Sequence, residues 1–169
     1  VLERGEHAAE PAAVLQAFEA TGRLSARHGS DAVAANFRWR HAGGNDQMEL
    51  VSPFGQTIAQ LSGDAAQVRL QSADGRVTTA SDWTTLTEQG LGWPLPVQGL
   101  AFWIQGAARP GSAFSAETGD DGRIVVLRQD GWTIVYPSYA QTGAGAWRPA
   151  RVNLSYPEVE LRLAIDAWE

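Results

Sequence analysis

The stretch RVNLSYPEVELRLAID, residues 151–166, decides how the chain folds. Val152, Leu154 and Tyr156 alternate with Arg151, Asn153 and Ser155. After Pro157-Glu158, Val159, Leu161, Leu163 and Ile165 alternate with Glu160, Arg162, Ala164 and Asp166. An apolar–polar period of two marks a half-buried antiparallel strand, with one side on the core and the other in water.

The same signal recurs outward from this pair. From Phe18, Ala20, Leu24 and Ala26 alternate with Thr21, Arg23, Ser25 and Arg27, and Val33, Ala35, Phe37 and Trp39 alternate with Ala34, Asn36, Arg38 and Arg40. Turn residues at His28-Gly29-Ser30-Asp31 and Gly43-Gly44-Asn45-Asp46 separate these runs at hairpin distances. Shorter strands are predicted at Met48–Ser52, Gln56–Ser62, Ala66–Ser72 and Arg76–Thr79. Asp130-Gly131, between Ile124–Gln129 and Trp132–Tyr136, is a strong two-residue hairpin signal.

Two segments break the strand pattern. Glu6 to Ala17 is Ala-rich with Pro11 near its start, which predicts a helix over 6–17. Ser81 or Asp82 can cap a helix over Trp83–Gln89 that Gly90 and Gly92 end, and a second short helix is expected from Val97 to Gln105. The expected fold is mainly β: an incomplete antiparallel β-barrel of about ten or eleven strands, its apolar side covered by short α-helices. The expected organisation is a single domain over 1–169, with an N-terminal helix (6–17), first strands (18–80), a helical lid (81–105) and remaining strands (112–168).

Composition removes several classes of function. Arginine supplies all 13 positive charges, there is no lysine, and 19 acidic residues leave the net charge at −6. An acidic chain does not fit nucleic-acid binding, which rests on neutralising phosphates. Without cysteine there is no disulfide, no Cys-based zinc site and no thiol catalysis. The most apolar stretch, Leu91 to Ile104, is too short to span a bilayer and is interrupted by Pro94, Pro96 and Gly99. The sequence contains no nucleophile elbow, phosphate-binding loop, dinucleotide fingerprint or zinc-protease motif. His7, His28 and His41 are read as structural or solvent-facing, Asp120-Asp121 as a turn, and Gly143-Ala144-Gly145 as a flexible loop. No catalytic residue, metal ligand or cofactor is expected.

The aromatics carry more information. Seven tryptophans sit mostly on the apolar phase of strands or in the lid. They either fill the inside of a curved sheet or line a hollow that a half-closed barrel leaves open. In Leu50-Val51-Ser52-Pro53-Phe54-Gly55, Pro53 and Gly55 bracket Phe54 in a tight connection. Phe54 either folds back on the body or stands exposed at a loop tip, where it would meet a membrane interface or a partner's apolar pocket.

These pieces, in this order, resemble the LolB family of outer-membrane lipoprotein receptors, a branch of the LolA/LolB lipoprotein-localisation proteins. The resemblance runs from Phe18 to Trp168. It is carried by Gly22, Ser52-Pro53-Phe54-Gly55, Gly92-Trp93-Pro94-Leu95-Pro96, Phe102-Trp103-Ile104-Gln105-Gly106, Trp132-Thr133-Ile134-Val135-Tyr136 with Tyr139, Pro149, and Asp166-Ala167-Trp168. It implies an incomplete barrel with a helical lid and no enzymatic activity. It also implies a receptor that takes acylated lipoproteins from a LolA-type periplasmic carrier and places them, without ATP, among the phospholipids of the outer membrane.

Carried over by position, Pro53, Phe54 and Gly55 form the membrane-insertion loop. The family commonly has leucine where this chain has Phe54. The resemblance further implies a monomer on the periplasmic face of the outer membrane, anchored in the full-length protein by a lipidated N-terminal cysteine, a residue these 169 do not include. Strand phase and lid position then nominate Leu24, Phe37, Trp39, Leu154, Leu161 and Leu163 for an acyl-chain cavity, and Leu91, Leu100, Phe102 and Ile104 for the lid. Any of these serves equally as plain core. The outward Arg23, Arg27, Arg38 and Arg40 read either as a docking patch or as a solvated face. The alternatives are a soluble carrier of the LolA type, a periplasmic binder of another small apolar ligand, and an enzyme on a similar sheet.

Overall fold

The alternating runs pair into one antiparallel sheet. The computed structural model describes residues 2–3, 14–64, 66–143 and 145–169. Its first strands are β1 (Leu2–Glu3), β2 (Ala17–His28), β3 (Asp31–Ala42), β4 (Asn45–Val51), β5 (Thr57–Gly63), β6 (Val68–Ser72) and β7 (Val77–Ala80). Helices α1 (Trp83–Gly90) and α2 (Val97–Trp103) follow. The chain returns through β8 (Phe114–Thr118), β9 (Ile124–Gln129), β10 (Trp132–Gln141), β11 (Trp147–Tyr156) and β12 (Val159–Trp168). The spatial order is β1-β8-β9-β10-β11-β12-β2-β3-β4-β5-β6-β7. The β11–β12 hairpin thus lies near the middle, where Leu163 faces Leu24 of β2 across the register. Among the described residues β7 and β1 are the two edges and do not meet, so the barrel is incomplete.

Helices do what strand pairing leaves undone. The chain leaves edge strand β7, runs through α1 and α2, and enters β8 beside the opposite edge. Leu86, Leu100, Trp103 and Ile104 of this crossing belong to the same buried cluster as Trp39, Leu61, Leu127 and Leu161 of the sheet. An open sheet with one apolar face must bury it against something, and here the crossing segment is that layer.

Close approach explains two glycines. A Cβ on Gly22 would lie 2.0 Å from the Ala164 carbonyl oxygen, so β2 can press against β12 only without a side chain there. A Cβ on Gly99 would lie 2.7 Å from the Trp103 ring, so Gly99 gives that indole room along α2.

The structure corrects several expected boundaries. Most of the helix expected over 6–17 lies outside the described residues, and its end is not helical: Val14 to Gln16 form no helix, and Ala17 opens β2 opposite Ala42. The Leu15 backbone bonds to the Gln105 side chain, and Gly43 N–H donates to the Gln16 carbonyl, so long-range partners replace the helical ladder. Strand β8 had no assigned counterpart. Strand β10 runs on to Gln141 past Pro137, through register shifts between Val135 and Tyr139 that absorb the missing donor.

Candidate functional site

Three features make up the site: an exposed turn, a covered apolar face and a mouth beside the cover. The turn joins β4 to β5. Gly55 N–H donates to the Ser52 carbonyl at 2.9 Å and Ser52 N–H to the Gln56 carbonyl at 2.7 Å. Gly55 closes the turn at φ +91°, a left-handed conformation that glycine adopts freely. Ser52 Oγ accepts from the Phe54 and Gln56 amides at 3.3 and 3.1 Å. These bonds fix the backbone of the turn, and the Phe54 side chain stands 93% exposed. No other large apolar residue among those described is so bare: Val77, Trp147 and Tyr156 follow at 47, 42 and 42%.

The apolar face is packed. Leu24, Phe37, Trp39, Leu154, Leu161 and Leu163 are all buried, as are Leu100 and Ile104 above them. Leu91 and Phe102 are half-buried against the same cluster. Of the tryptophans, Trp39, Trp83, Trp93, Trp103 and Trp132 are core, while Trp147 is exposed. With the cover in place its own side chains fill the concavity.

The two helices of the cover are held differently. In α1, Asp82 caps the Thr85 amide at 2.8 Å, and the buried Thr87 hydroxyl donates to the Trp83 carbonyl and accepts from Leu95 N–H. These bonds stay within the cover. In α2 the partners lie on the sheet. Trp103 Nε1 donates to Gln129 Oε1 at 2.8 Å, and Tyr136 Oη donates to the Trp103 carbonyl at 2.6 Å. Buried Gln105 joins the Ala101 carbonyl, the Leu15 backbone and Arg148. Beyond α2, Arg109 and Ser112 both donate to Asp130, and they hold its carboxyl below the usual range, Arg109 foremost.

Between α1, α2 and the ends of β10 and β11 lies the mouth, a hollow of about 260 Å³ whose lining includes Trp83, Gly99, Trp103, Trp132 and Tyr156, with Arg109 and Asp130 at its rim.

The buried titratable groups here are engaged in structural bonds. Burial raises the Tyr136 phenol well above its ordinary pKa and raises that of Tyr139 too, with the Asp121 charge adding to the latter, and both hydroxyls donate to carbonyls. Arg148 is shifted down by burial. His41 is buried with Nδ1 2.7 Å from Asp46, whose same oxygen accepts from Trp39 Nε1 at 2.7 Å, and His28 ends β2. Among the described residues, no cluster of His and acidic residues has the makings of a metal site, and no helix is long and apolar enough to cross a membrane.

Residues 16–168 match the model of the family described as outer membrane lipoprotein LolB. The chain belongs to the LolB family. It is 40% identical to an outer-membrane lipoprotein LolB of Thiobacillus denitrificans over 96% of this chain and 85% of that one. It is 35% identical to that of Nitrosomonas europaea over 100% of this chain and 77% of the relative. A crystal structure of a LolA superfamily protein from Nitrosomonas europaea superposes with a TM-score of 0.56 at 8% identity, covering 91% of this chain and 86% of that one, which shows a shared fold. Family membership places the chain among outer-membrane lipoproteins.

Gln105, part of the Phe102–Gly106 motif, and Gln129 have a bonding role here that the sequence alone does not assign. Gln105 follows the apolar run that ends at Ile104 and Gln129 closes β9 between Arg128 and Asp130, so a polar residue in a buried phase is the one available signal. Of the outward arginines, Arg23 pairs with Asp166 at 3.4 Å and Arg40 with Glu19 at 3.0 Å, both in solvent, where such pairs contribute little.

Proposed function

We propose that the chain receives acylated lipoproteins from a LolA-type carrier on the periplasmic side and releases them into the outer membrane without nucleotide hydrolysis. The bare side chain of Phe54 supports this reading most directly. A protein that only carried its cargo through water would gain nothing from an aromatic ring on a rigid tip, whereas one that must enter a bilayer interface needs one. Pro53 and Gly55 hold the ring out, and outer-membrane phospholipid is its partner. The full-length protein is a monomer anchored by a lipidated cysteine outside these residues.

Magnitudes support exchange at the covered face. An acyl chain of about fifteen methylenes carries roughly 12 kcal/mol of hydrophobic free energy, at ~0.8 kcal/mol per CH₂. Leu86, Leu95, Val97, Leu100, Trp103 and Ile104 of the cover are fully buried. At about 2 kcal/mol each they hold it down by a similar amount. The cover therefore stays shut in water, and an arriving chain can replace it at little net cost. A donor–receiver difference of ~1.4 kcal/mol then gives a tenfold bias in direction. Leu24, Phe37, Trp39, Leu154, Leu161 and Leu163 form the wall the chain meets, and Leu91, Leu100, Phe102 and Ile104 give way above it. The chain enters at the mouth, and α1 moves first because its polar bonds, unlike those of α2, do not tie it to the sheet.

Transfer of an acylated lipoprotein from carrier to liposomes tests the reading. Phe54→Asp should leave crosslinking to an acylated peptide unchanged and slow delivery at least tenfold. Delivery equal to that of the parent would overturn the role of the tip.

A further inference from the structure

The outer face of the sheet carries a second feature beside the tip. A groove of about 520 Å³ crosses β11, β12, β2 and β3, with Arg23, Arg151 and Arg162 among its lining and Pro53 at one end. Its shape follows from register. Ala164 faces Arg151 on one neighbouring strand and Arg23 on the other, so two arginines flank a methyl group across about 10 Å. Arg162, two residues along on the same face, stands between Asn153 and Ser25. Small residues where an outward face tolerates large ones leave the hollow, and the three arginines line it.

The charge here is little compensated. Arg23 pairs with the exposed carboxylate of Asp166, while Arg151 and Arg162 form no ion pair among the described residues. In a chain of net charge −6, this groove gathers three arginines beside the barest large apolar side chain among the described residues. Forked N–H donors match phosphate oxygens, and the neighbouring amide of Asn153 adds further donors. Pro53 lines the groove and the next residue is Phe54, so the groove begins beside the exposed tip.

We propose that this groove seats the phosphate of an anionic phospholipid headgroup when Phe54 enters the bilayer. The proposal rests on the membrane contact assigned to Phe54 and adds the lipid class that the docked protein selects. The ring supplies a contact indifferent to headgroup charge, and the arginines supply one that depends on it.

Vesicle flotation separates the two contributions. The probes are phosphatidylcholine vesicles and vesicles in which phosphatidylglycerol is admixed. The parent should bind the anionic vesicles more tightly, with the increment falling as salt is raised. Arg151→Gln with Arg162→Gln should cut that increment roughly tenfold or more, at about fivefold per arginine, and leave binding to phosphatidylcholine unchanged. A control with the same charge change outside the groove, Arg69→Gln with Arg128→Gln, should keep most of the increment, and melting curves verify that both variants fold. Equal loss in the control would reduce the effect to net charge and overturn the site. So would an undiminished increment in the groove variant, or its loss of carrier binding with vesicle binding intact. Phe54→Asp reports separately: if it leaves phosphatidylcholine binding unchanged, the membrane role of the tip fails whatever the arginines do.

Discussion

Two turns at the same end of the sheet share a backbone and differ in what they display. In residues 52–56 and 72–76 a serine carbonyl accepts from a glycine amide three residues on, at 2.9 Å in both. The serine amide donates to the residue after that glycine, at 2.7 and 2.9 Å, and the glycines sit at φ +91° and +86°. Before the glycine stands Phe54 in one turn and Asp74 in the other. Asp74 accepts from the Ser72 hydroxyl and the Arg76 amide, and so completes its turn. In the other, Ser52 Oγ serves the amides itself and the ring of Phe54 bonds to nothing. A third turn, closed by Gly122, again has an aspartate, Asp121, which accepts from the Arg123 amide at 3.0 Å. The fold thus accepts aspartate at this position, and a bare aromatic there answers to something outside the fold.

Exchanging the two side chains has the largest expected effect. Phe54→Asp combined with Asp74→Phe keeps composition and backbone while moving the ring one hairpin away from the arginine groove. The melting temperature should stay near that of the parent. Partition onto vesicles should remain at least tenfold below it, since a buried Phe contributes about 1.5–3 kcal/mol and the displaced ring no longer acts with the groove. Recovery of full partition would show that any apolar tip on this end suffices.

Much of this architecture is legible in the chain because a half-buried strand writes its two faces in alternate residues. The run Ile124–Gln129 is β9 as read, and the phase of residues 151–166 names the buried leucines correctly. Phe114–Thr118 was not assigned as a strand, since only Phe114 and Ala116 mark its apolar phase and none of its five residues is exposed. The sequence marks Phe54 as a residue on a turn but leaves both orientations open, because the backbone bonds to Ser52 that shape the turn are not written in it. The glutamine ties were beyond reach: Gln105 bonds to Leu15, 90 residues away, and Trp103 to Gln129, 26 away. The groove was hidden for the same reason. The outward phase of Arg151 and Arg162 is plain in sequence, but their meeting with Arg23 depends on the β12–β2 pairing, which joins strands far apart in the chain.

A smaller effect checks that the two backbones are equivalent. Nothing lies within 4 Å of a Cβ built on Gly55 or Gly75, so substitution by alanine meets only the conformational penalty of a positive φ. Each variant should lose about 1 kcal/mol in urea unfolding, and the two losses should agree within about 0.5 kcal/mol. A much larger cost at Gly55 would mean that the tip packs against something and that Phe54 is held for stability.

The smallest effect is local and depends on pH. The Ser72 hydroxyl, followed by the Arg76 amide, holds the Asp74 carboxyl below its ordinary value. A depressed folded pKa means that the carboxylate's support is fully present above the unfolded value near ~4 and is lost as pH falls through the folded one. The 52–56 turn has no titrating group, because Ser52 takes the place of the carboxylate. On acidification below about pH 4, amide exchange at Arg76 should therefore accelerate while that at Gln56 follows only the intrinsic rate. If both amides loosened together, the change would be global and the two turns would not be independently closed. If Gln56 alone stays protected, Ser52 has replaced an acid whose negative charge an anionic bilayer would repel, leaving the tip uncharged where it must enter the membrane.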